Sequence, residues 1–499
     1  MKTKIYVFFT GLMLFAVLQS CKKKDAENLV PVNEISISGI ENKYTLLSTD
    51  VLEIAPKLSA SIQTDLDNSN YDFYWINMGV TSLNSTSQDT LARTKDLSTV
   101  LGLKTGQYKL FFRMVDKKTG VFYAKSFLVN ISSALSRGFL LLSEVNGGSR
   151  LDMLAKTSTG YNVVTDVLAK SASSLVLTGK PYFVSSIVNP FYGDQTFIGT
   201  SDGTNLVAEE TFAAAPSSNI VYQFKGTIPS VATFKPTMFY QGPQYGAYLY
   251  NEHDIYATFL MAAPFSTPIN NIGTGNVKFP ASPFIANYMS TGYESNAIIF
   301  DEQGQTFYNY KAESLGASAM PTGNLFDFNV KKKLVYMGFS LYNSGEVSAI
   351  LKDNDKSVYH FARFAAPYKN IAFGYQYTYQ VMNATDIDKA THFAVTPQQG
   401  YLFYAVEGKL YEYDFASNSA KLMKDYGSRK ISMLKVNLPD AYWIPEEYSN
   451  LLMIATYDEG NMSTSGKIEF FKTAPVQGDL ELYSSYTGMG KVVSALQKY

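Results

Sequence analysis

Residues 402–415 read Leu-Phe-Tyr-Ala-Val-Glu-Gly-Lys-Leu-Tyr-Glu-Tyr-Asp-Phe. The stretch is one repeating unit in miniature. Leu402–Val406 is an apolar run of the length of a buried strand. Gly408 supplies a hairpin turn, and Leu410, Tyr411, Glu412, Tyr413 and Asp414 alternate as a returning strand should. Similar phrases start near Phe139, Thr196, Ala247, Ala297, Leu334, Tyr401 and Leu451, about 52 residues apart on average. A period of roughly 40–50 residues with several strands per unit is the signature of a β-propeller, so seven phrases predict seven blades over 138–499. The spacing is uneven around Leu334, where one unit is short and the next long. The competing arrangement is a pair of β-sandwiches with long connections. No long Pro- or Gly-rich linker divides the region, which favours one closed toroid.

Composition agrees with an all-β chain of more than one domain. The 499 residues exceed what one ordinary core needs. Hydrophobic residues make up 46% and charged residues 17%, which excludes disorder and coiled coil. Tyr (37) and Phe (33) far outnumber Trp (2), which suits pleated surfaces. Lys and Arg (42) balance Asp and Glu (43), so no charge excess recommends nucleic acid as a partner. Three His and one Cys argue against zinc clusters, His-rich metal sites and disulfide scaffolds, and no cofactor or metal is expected.

The single cysteine is Cys21. Lys2 and Lys4 form a positive start, Ile5 to Leu18 is an apolar stretch too short to span a bilayer, and Leu18-Gln19-Ser20-Cys21 follows. That run resembles the lipobox of bacterial lipoproteins. The resemblance implies a signal peptide over 1–20, cleavage before Cys21 and lipid attachment to it. Several acyl chains, at about 0.8 kcal/mol per buried CH₂, would anchor the chain stably. The plainer alternative is a signal peptide that happens to end near a cysteine. Residues 21–31, with Lys22-Lys23-Lys24-Asp25-Ala26-Glu27, read as a polar tether. They resemble the surface-export signals of Bacteroidetes lipoproteins, with Ala26 interrupting the acidic pair.

Residues 32–133 read as a β-sandwich of about 100 residues. Tyr71, Phe73 and Trp75 share one face of a strand, and Gln107–Val115 and Val121–Val129 flank a turn at Asp116–Gly120. The segments "YDFYWIN", "TGQYKLFFRMVDKKTGVFYAKSFLVNIS" and "GFLLLSEVNGGSRLDML" resemble the PKD-like lipoproteins of Bacteroidetes, with Trp75 in the core position. Asp65, Asp67 and Ser69 have the spacing of a calcium loop's start, but position 76 is Ile where a closing carboxylate belongs. A polar inter-strand turn is the better reading.

No catalytic constellation emerges. Gly199-Thr200-Ser201-Asp202-Gly203 matches G-x-S-x-G formally, but it joins two strands instead of a strand and a helix. His253, His360 and His392 are scattered, and the bland reading is surface or core histidines. The best binding material is aromatic. Phe373, Tyr375, Tyr377 and Tyr379 are expected to share one face of a strand, and Tyr240, Tyr245, Tyr248 and Tyr250 form a second cluster. Rings with hydroxyl tips suit sugars and peptides, although packing between blades competes for them.

The PKD-like resemblance implies a non-enzymatic, surface-exposed outer-membrane lipoprotein that captures or docks glycan or peptide nutrients for a SusC/SusD-type importer. One alternative is a propeller hydrolase or lyase acting on polysaccharide or peptide, which needs a carboxylate-rich pocket at the axis. Another is an adhesive or structural surface protein.

Overall fold

The computed structural model describes residues 33–48, 50–62, 64–80, 88–133, 135–157, 160–187, 195–242, 246–259, 264–273, 277–289, 295–366, 372–397, 399–436, 450–474 and 476–498. Cys21, the lipobox and the 21–31 tether lie outside these residues. The chain divides into two compact units, 1–134 and 135–499.

The first unit is a sandwich. Its main sheet has the order 43–47, 122–132, 106–116, 71–80, 89–92, antiparallel throughout except that 43–47 runs parallel to 122–132. Two ladders, 35–38 with 57–60 and 51–54 with 97–100, complete it. The period-2 alternation works as expected: Tyr71, Phe73 and Trp75 are buried in one cluster with Phe112, Met114, Phe127 and Val129 of the neighbouring strands. Trp75 is fully enclosed, its ring centroid 4.8 Å from that of Phe112, and its Nε1 donates to the Thr94 carbonyl at 3.0 Å. The Asp65–Ser69 loop is a turn, since the Asp67 carboxylate accepts from the Ser69 amide at 2.9 Å.

Among the described residues, the second unit is a ring of seven antiparallel blade sheets, a seven-bladed β-propeller, with a small ladder of 271–272 and 277–278 besides. From the innermost strand outward, blade 1 is 491–498, 138–145, 148–156, 161–164; blade 2 is 181–187, 195–200, 203–207; blade 3 is 238–241, 247–251, 254–258. Blade 4 is 286–289, 295–301, 306–310, 318–319; blade 5 is 333–340, 346–352, 359–365, 376–381. Blade 6 is 392–395, 402–406, 409–414, 419–425, and blade 7 is 430–436, 452–457, 466–472, 481–489.

Second strands are buried on both faces, because each blade packs a neighbour on either side. Phe139 and Leu141 point into a cluster with blade 7, whereas Leu140 and Leu142 point into one with blade 2. The same division places Phe403 against blade 7 and Tyr404 against blade 5. This is why these strands appear in the sequence as unbroken apolar runs. It also explains the uneven spacing. Six sequence landmarks fall at second strands, but Leu334 falls in an inner strand, and its true equivalent starts at Glu346. Counted from 138, 195, 247, 295, 346, 402 and 452, the blades recur regularly.

Inner strands of neighbouring blades splay apart and do not form ladders, so side chains stitch them. Ser432 Oγ donates to the Val492 carbonyl at 2.6 Å, Lys435 Nζ to that of Ala495 at 2.7 Å, and Asn287 Nδ2 to that of Gln241 at 2.7 Å. The Ser494 hydroxyl accepts from the Val184 amide at 3.1 Å. The ring is closed by the last strand, 491–498, pairing antiparallel with 138–145. A buried carboxylate fixes its entry: Asp152 accepts from the Gly490 amide (3.1 Å), the Ser143 hydroxyl (3.2 Å), the Asp166 amide (3.0 Å) and both ends of Arg150 (2.6 and 2.8 Å). At the far end Lys498 Nζ donates to the carbonyls of Leu135 and Glu209.

Asp152→Ala leaves Arg150 and three further donors without their acceptor. Breaking a buried ion pair costs about 3–5 kcal/mol. We expect Asp152→Ala to lower the unfolding free energy of the propeller transition in urea by that amount, while Lys421→Ala, which removes an exposed ion pair with Asp479, changes it by under about 1 kcal/mol.

Candidate functional site

The residues singled out by sequence separate into packed and exposed groups. Ser201 of the G-x-S-x-G match sits in the two-residue turn between 195–200 and 203–207, its hydroxyl accepting from the Lys180 amide at 2.9 Å. His253 occupies another hairpin turn, exposed, 3.1 Å from the Glu302 carboxylate. His360 pairs with Asp353 at 2.9 Å and stacks on Tyr379, and Lys332 holds the Asp353 carboxyl below the usual range. His392 bonds to Thr391 at 2.8 Å, and burial pushes its imidazole down. The three histidines thus have three separate sets of neighbours.

Tyr248 is fully buried between blades 3 and 4, its hydroxyl donating to the Ser295 carbonyl at 2.9 Å, and burial drives its pKa far up. It is core. Tyr245 lies outside the described residues. Tyr375, Tyr377 and Tyr379 are on the outer strand of blade 5 and the turn before it, but they do not share one face. Arg363 pairs with Thr378 and Phe364 with Gln376, so Tyr377 is the extra residue of a β-bulge. Tyr379 stacks on Phe326 at 4.9 Å on the blade-4 side. Tyr377 turns to the blade-6 side, and Tyr375 meets it edge to face at 5.4 Å.

That turn assembles a site the sequence did not reveal. Arg363, 2% exposed, forms a two-pronged pair with Glu346 (Nε to Oε1 2.9 Å, Nη2 to Oε2 2.8 Å). Its guanidinium lies 3.6 Å from the Phe415 ring centroid of blade 6, 5.3 Å from Tyr342 and 5.8 Å from Tyr377. Burial pushes the Glu346 carboxyl up, and Arg363 opposes this. Asn343 Nδ2 donates to Glu346 Oε2 at 3.2 Å. Asn343, Ser344 and Gly345 have φ of 50°, 65° and 111°, a left-handed run costly for the first two. The buried hydroxyls of Ser340, Ser348 and Tyr377 on these elements have no hydrogen-bond partner. Above them Tyr375 is 50% exposed. The available signal was an arginine inside the otherwise aromatic and apolar run "YHFARFA".

The propeller axis has a different character. None of the seven inner strands contains an Asp or Glu, whereas they carry Lys333, Lys430, Lys435, Lys491 and Lys498. Burial lowers Lys435 to about 8. The most perturbed acid is Glu412, on the third strand of blade 6, which burial raises to about 7 against the pull of Lys421. It is enclosed, and one carboxyl oxygen has no partner.

A raised acid binds its proton more tightly in the folded chain, so stability falls as pH rises from the unfolded value near 4.5 to about 7. We expect Glu412→Gln to remove that slope between pH 4.5 and 7 in thermal unfolding and to be the more stable protein at pH 8.

The PKD-like family model matches residues 28–181, a span covering the described sandwich and the outer strands of blade 1 up to Pro181. No curated protein matches the chain. A quinonprotein alcohol dehydrogenase-like protein from Bacteroides thetaiotaomicron is similar over 92% of this chain and 97% of its own, at 12% identity and a TM-score of 0.44. YCF48 from Cyanidioschyzon merolae aligns with 65% of this chain and 94% of its own, at 11% identity and a TM-score of 0.36. The extracellular domain of a candidate one-component system from B. thetaiotaomicron aligns with 90% and 69%, at 11% identity and a TM-score of 0.38.

Proposed function

We propose that this PKD-like and propeller chain is an outer-membrane lipoprotein, anchored through Cys21 and facing the cell exterior. In this reading it captures or docks glycan or peptide nutrients for a SusC/SusD-type importer and performs no catalysis itself. The observation that carries the reading is the blade-5 site: an exposed tyrosine held over a paired, charge-neutral floor is a contact surface. The inner strands add support, because general acid–base cleavage of polysaccharide uses a pair of carboxylates, and these strands offer none. Glu412 has the raised pKa of a general acid but is enclosed between strands. Among the described residues no helix is long and apolar enough to cross a membrane, so anchoring falls to the N-terminal lipid in this proposal.

Two measurements test it. Cys21→Ala should move the protein from the detergent-extracted membrane fraction to the soluble fraction, and metabolic labelling with an alkyne fatty acid should be lost with it. Affinity capture of the wild-type protein from detergent-extracted outer membrane should recover a SusC/SusD-type pair. Recovery of the protein alone, under conditions that preserve other transporter complexes, would falsify the accessory role.

A further inference from the structure

We infer that the rim of blade 5 is a subsite for a neutral saccharide, with Tyr375 as the stacking platform and Asn343 and Ser344 as hydrogen-bonding flanks. The inference rests on the capture reading above and names its ligand class and place.

Four observations select a sugar over a peptide. First, Tyr375 is half exposed yet fixed. Its carbonyl accepts from the Ala365 amide at 2.7 Å, and its ring is braced edge to face by Tyr377. A rigid aromatic ring loses little entropy when an apolar sugar face covers it. Second, the flanks are short polar side chains on the left-handed turn 343–345, and that turn is joined to the same region by the Ala366 amide donating to the Gly345 carbonyl at 3.1 Å. Asn343 spends one N–H on Glu346, which orients its amide and leaves the carbonyl oxygen and the second N–H for a ligand. Third, the charge beneath is cancelled. Arg363 and Glu346 are mutually satisfied and buried, so neither offers a ligand a free charge. Fourth, the outer edge of the blade is closed to an added strand. The Asn324 side chain takes both the amide (3.0 Å) and the carbonyl (3.3 Å) of Gln376, and Asn418 takes the Val381 carbonyl (3.1 Å). A peptide joining by backbone pairing would need those groups.

Two buried serines lie beside this ion pair. Ser348 is opposite Arg363 in the sheet and Ser340 opposite Glu346, so both share the sheet face that carries the ion pair.

The test uses full-length protein in detergent, titrated calorimetrically with laminarin, starch, yeast mannan, arabinan and levan, with polygalacturonate and a tryptic casein digest as charged and peptide probes. At least one neutral polysaccharide should bind. Tyr375→Ala should weaken that binding about tenfold, Tyr375→Phe should retain it, and Asn343→Ala should weaken it about three- to tenfold. Tyr222→Ala, at another exposed tyrosine, should leave it unchanged. Tyr375 is half exposed, so an unchanged melting temperature will show that the variant is folded. Binding only to polygalacturonate or to the digest, no binding to any neutral probe, or neutral binding indifferent to Tyr375→Ala overturns the inference. Capture of the transporter pair by the Tyr375→Ala variant separates the two proposals: saccharide binding without a transporter removes the accessory role alone, and a transporter without saccharide binding removes this subsite alone.

Discussion

The propeller depends on one long-range pairing. Seven wedge-shaped sheets around an axis have no intrinsic reason to stop at seven or to stay closed, and each open blade would expose an apolar face. The strand 491–498, hydrogen-bonded to 138–145 across some 350 residues of sequence, converts an open stack into a ring. Every inter-blade cluster then has a partner on both sides. The constraint explains the local chemistry around the closure. Gly138 and Gly466 stand where a Cβ would meet a backbone carbonyl at 1.9 and 1.8 Å, so glycine is the residue that lets the strands approach there. Asp152 gathers five donors at the one point where the last strand must enter in register. Closure between such distant segments is entropically costly, and a charged, fully bonded anchor at the entry offsets part of that cost and fixes the register.

Closure also decides where binding chemistry can reside. The inner strands are drawn together by side-chain stitches such as Lys435 to the Ala495 carbonyl and Ser432 to that of Val492, so their polar groups are engaged with one another. Second strands are enclosed on both faces. What remains exposed are the turns at blade rims and parts of the outer strands. The exposed tyrosine and the left-handed turn 343–345 occur at such a rim.

The fold was legible from residues like Leu402–Val406 because burial on both faces leaves a mark that survives without any alignment: an unbroken apolar run, a turn, then alternation. Leu334 misled the phase for the same reason. An inner strand as apolar as "LVYMGF" resembles a second strand when pattern alone is read, and only pairing distinguishes them. The binding site was half legible. Tyr375 and Tyr377 stood out by type, but their grouping with Tyr379 assumed strict alternation, and the bulge at Tyr377 breaks it. A single inserted residue reverses every later side chain. Tyr248 shows the opposite failure, since a tyrosine in a cluster of tyrosines gives no sign of whether its hydroxyl faces water or a neighbouring blade. Arg363 and Glu346, seventeen positions apart, carry no shared motif. Their pairing is a consequence of register between adjacent strands.

That ion pair shows how a fold can set ligand class without touching the ligand. A lone arginine at the blade-5 rim would favour carboxylates and phosphates, and a lone glutamate would favour amines. Locked together at 2.8–2.9 Å and covered by Phe415, Tyr342 and Tyr377, they cancel at the surface while still orienting Asn343. A buried pair of this kind adds little net stability against an apolar replacement. Its role here therefore needs a reason other than packing. Fixing the amide of Asn343 and supporting Tyr377 beneath Tyr375 supplies one: the pair is the rigid floor that keeps an exposed aromatic ring and its polar flank in a single geometry, so that a ligand meets a surface already ordered to receive it.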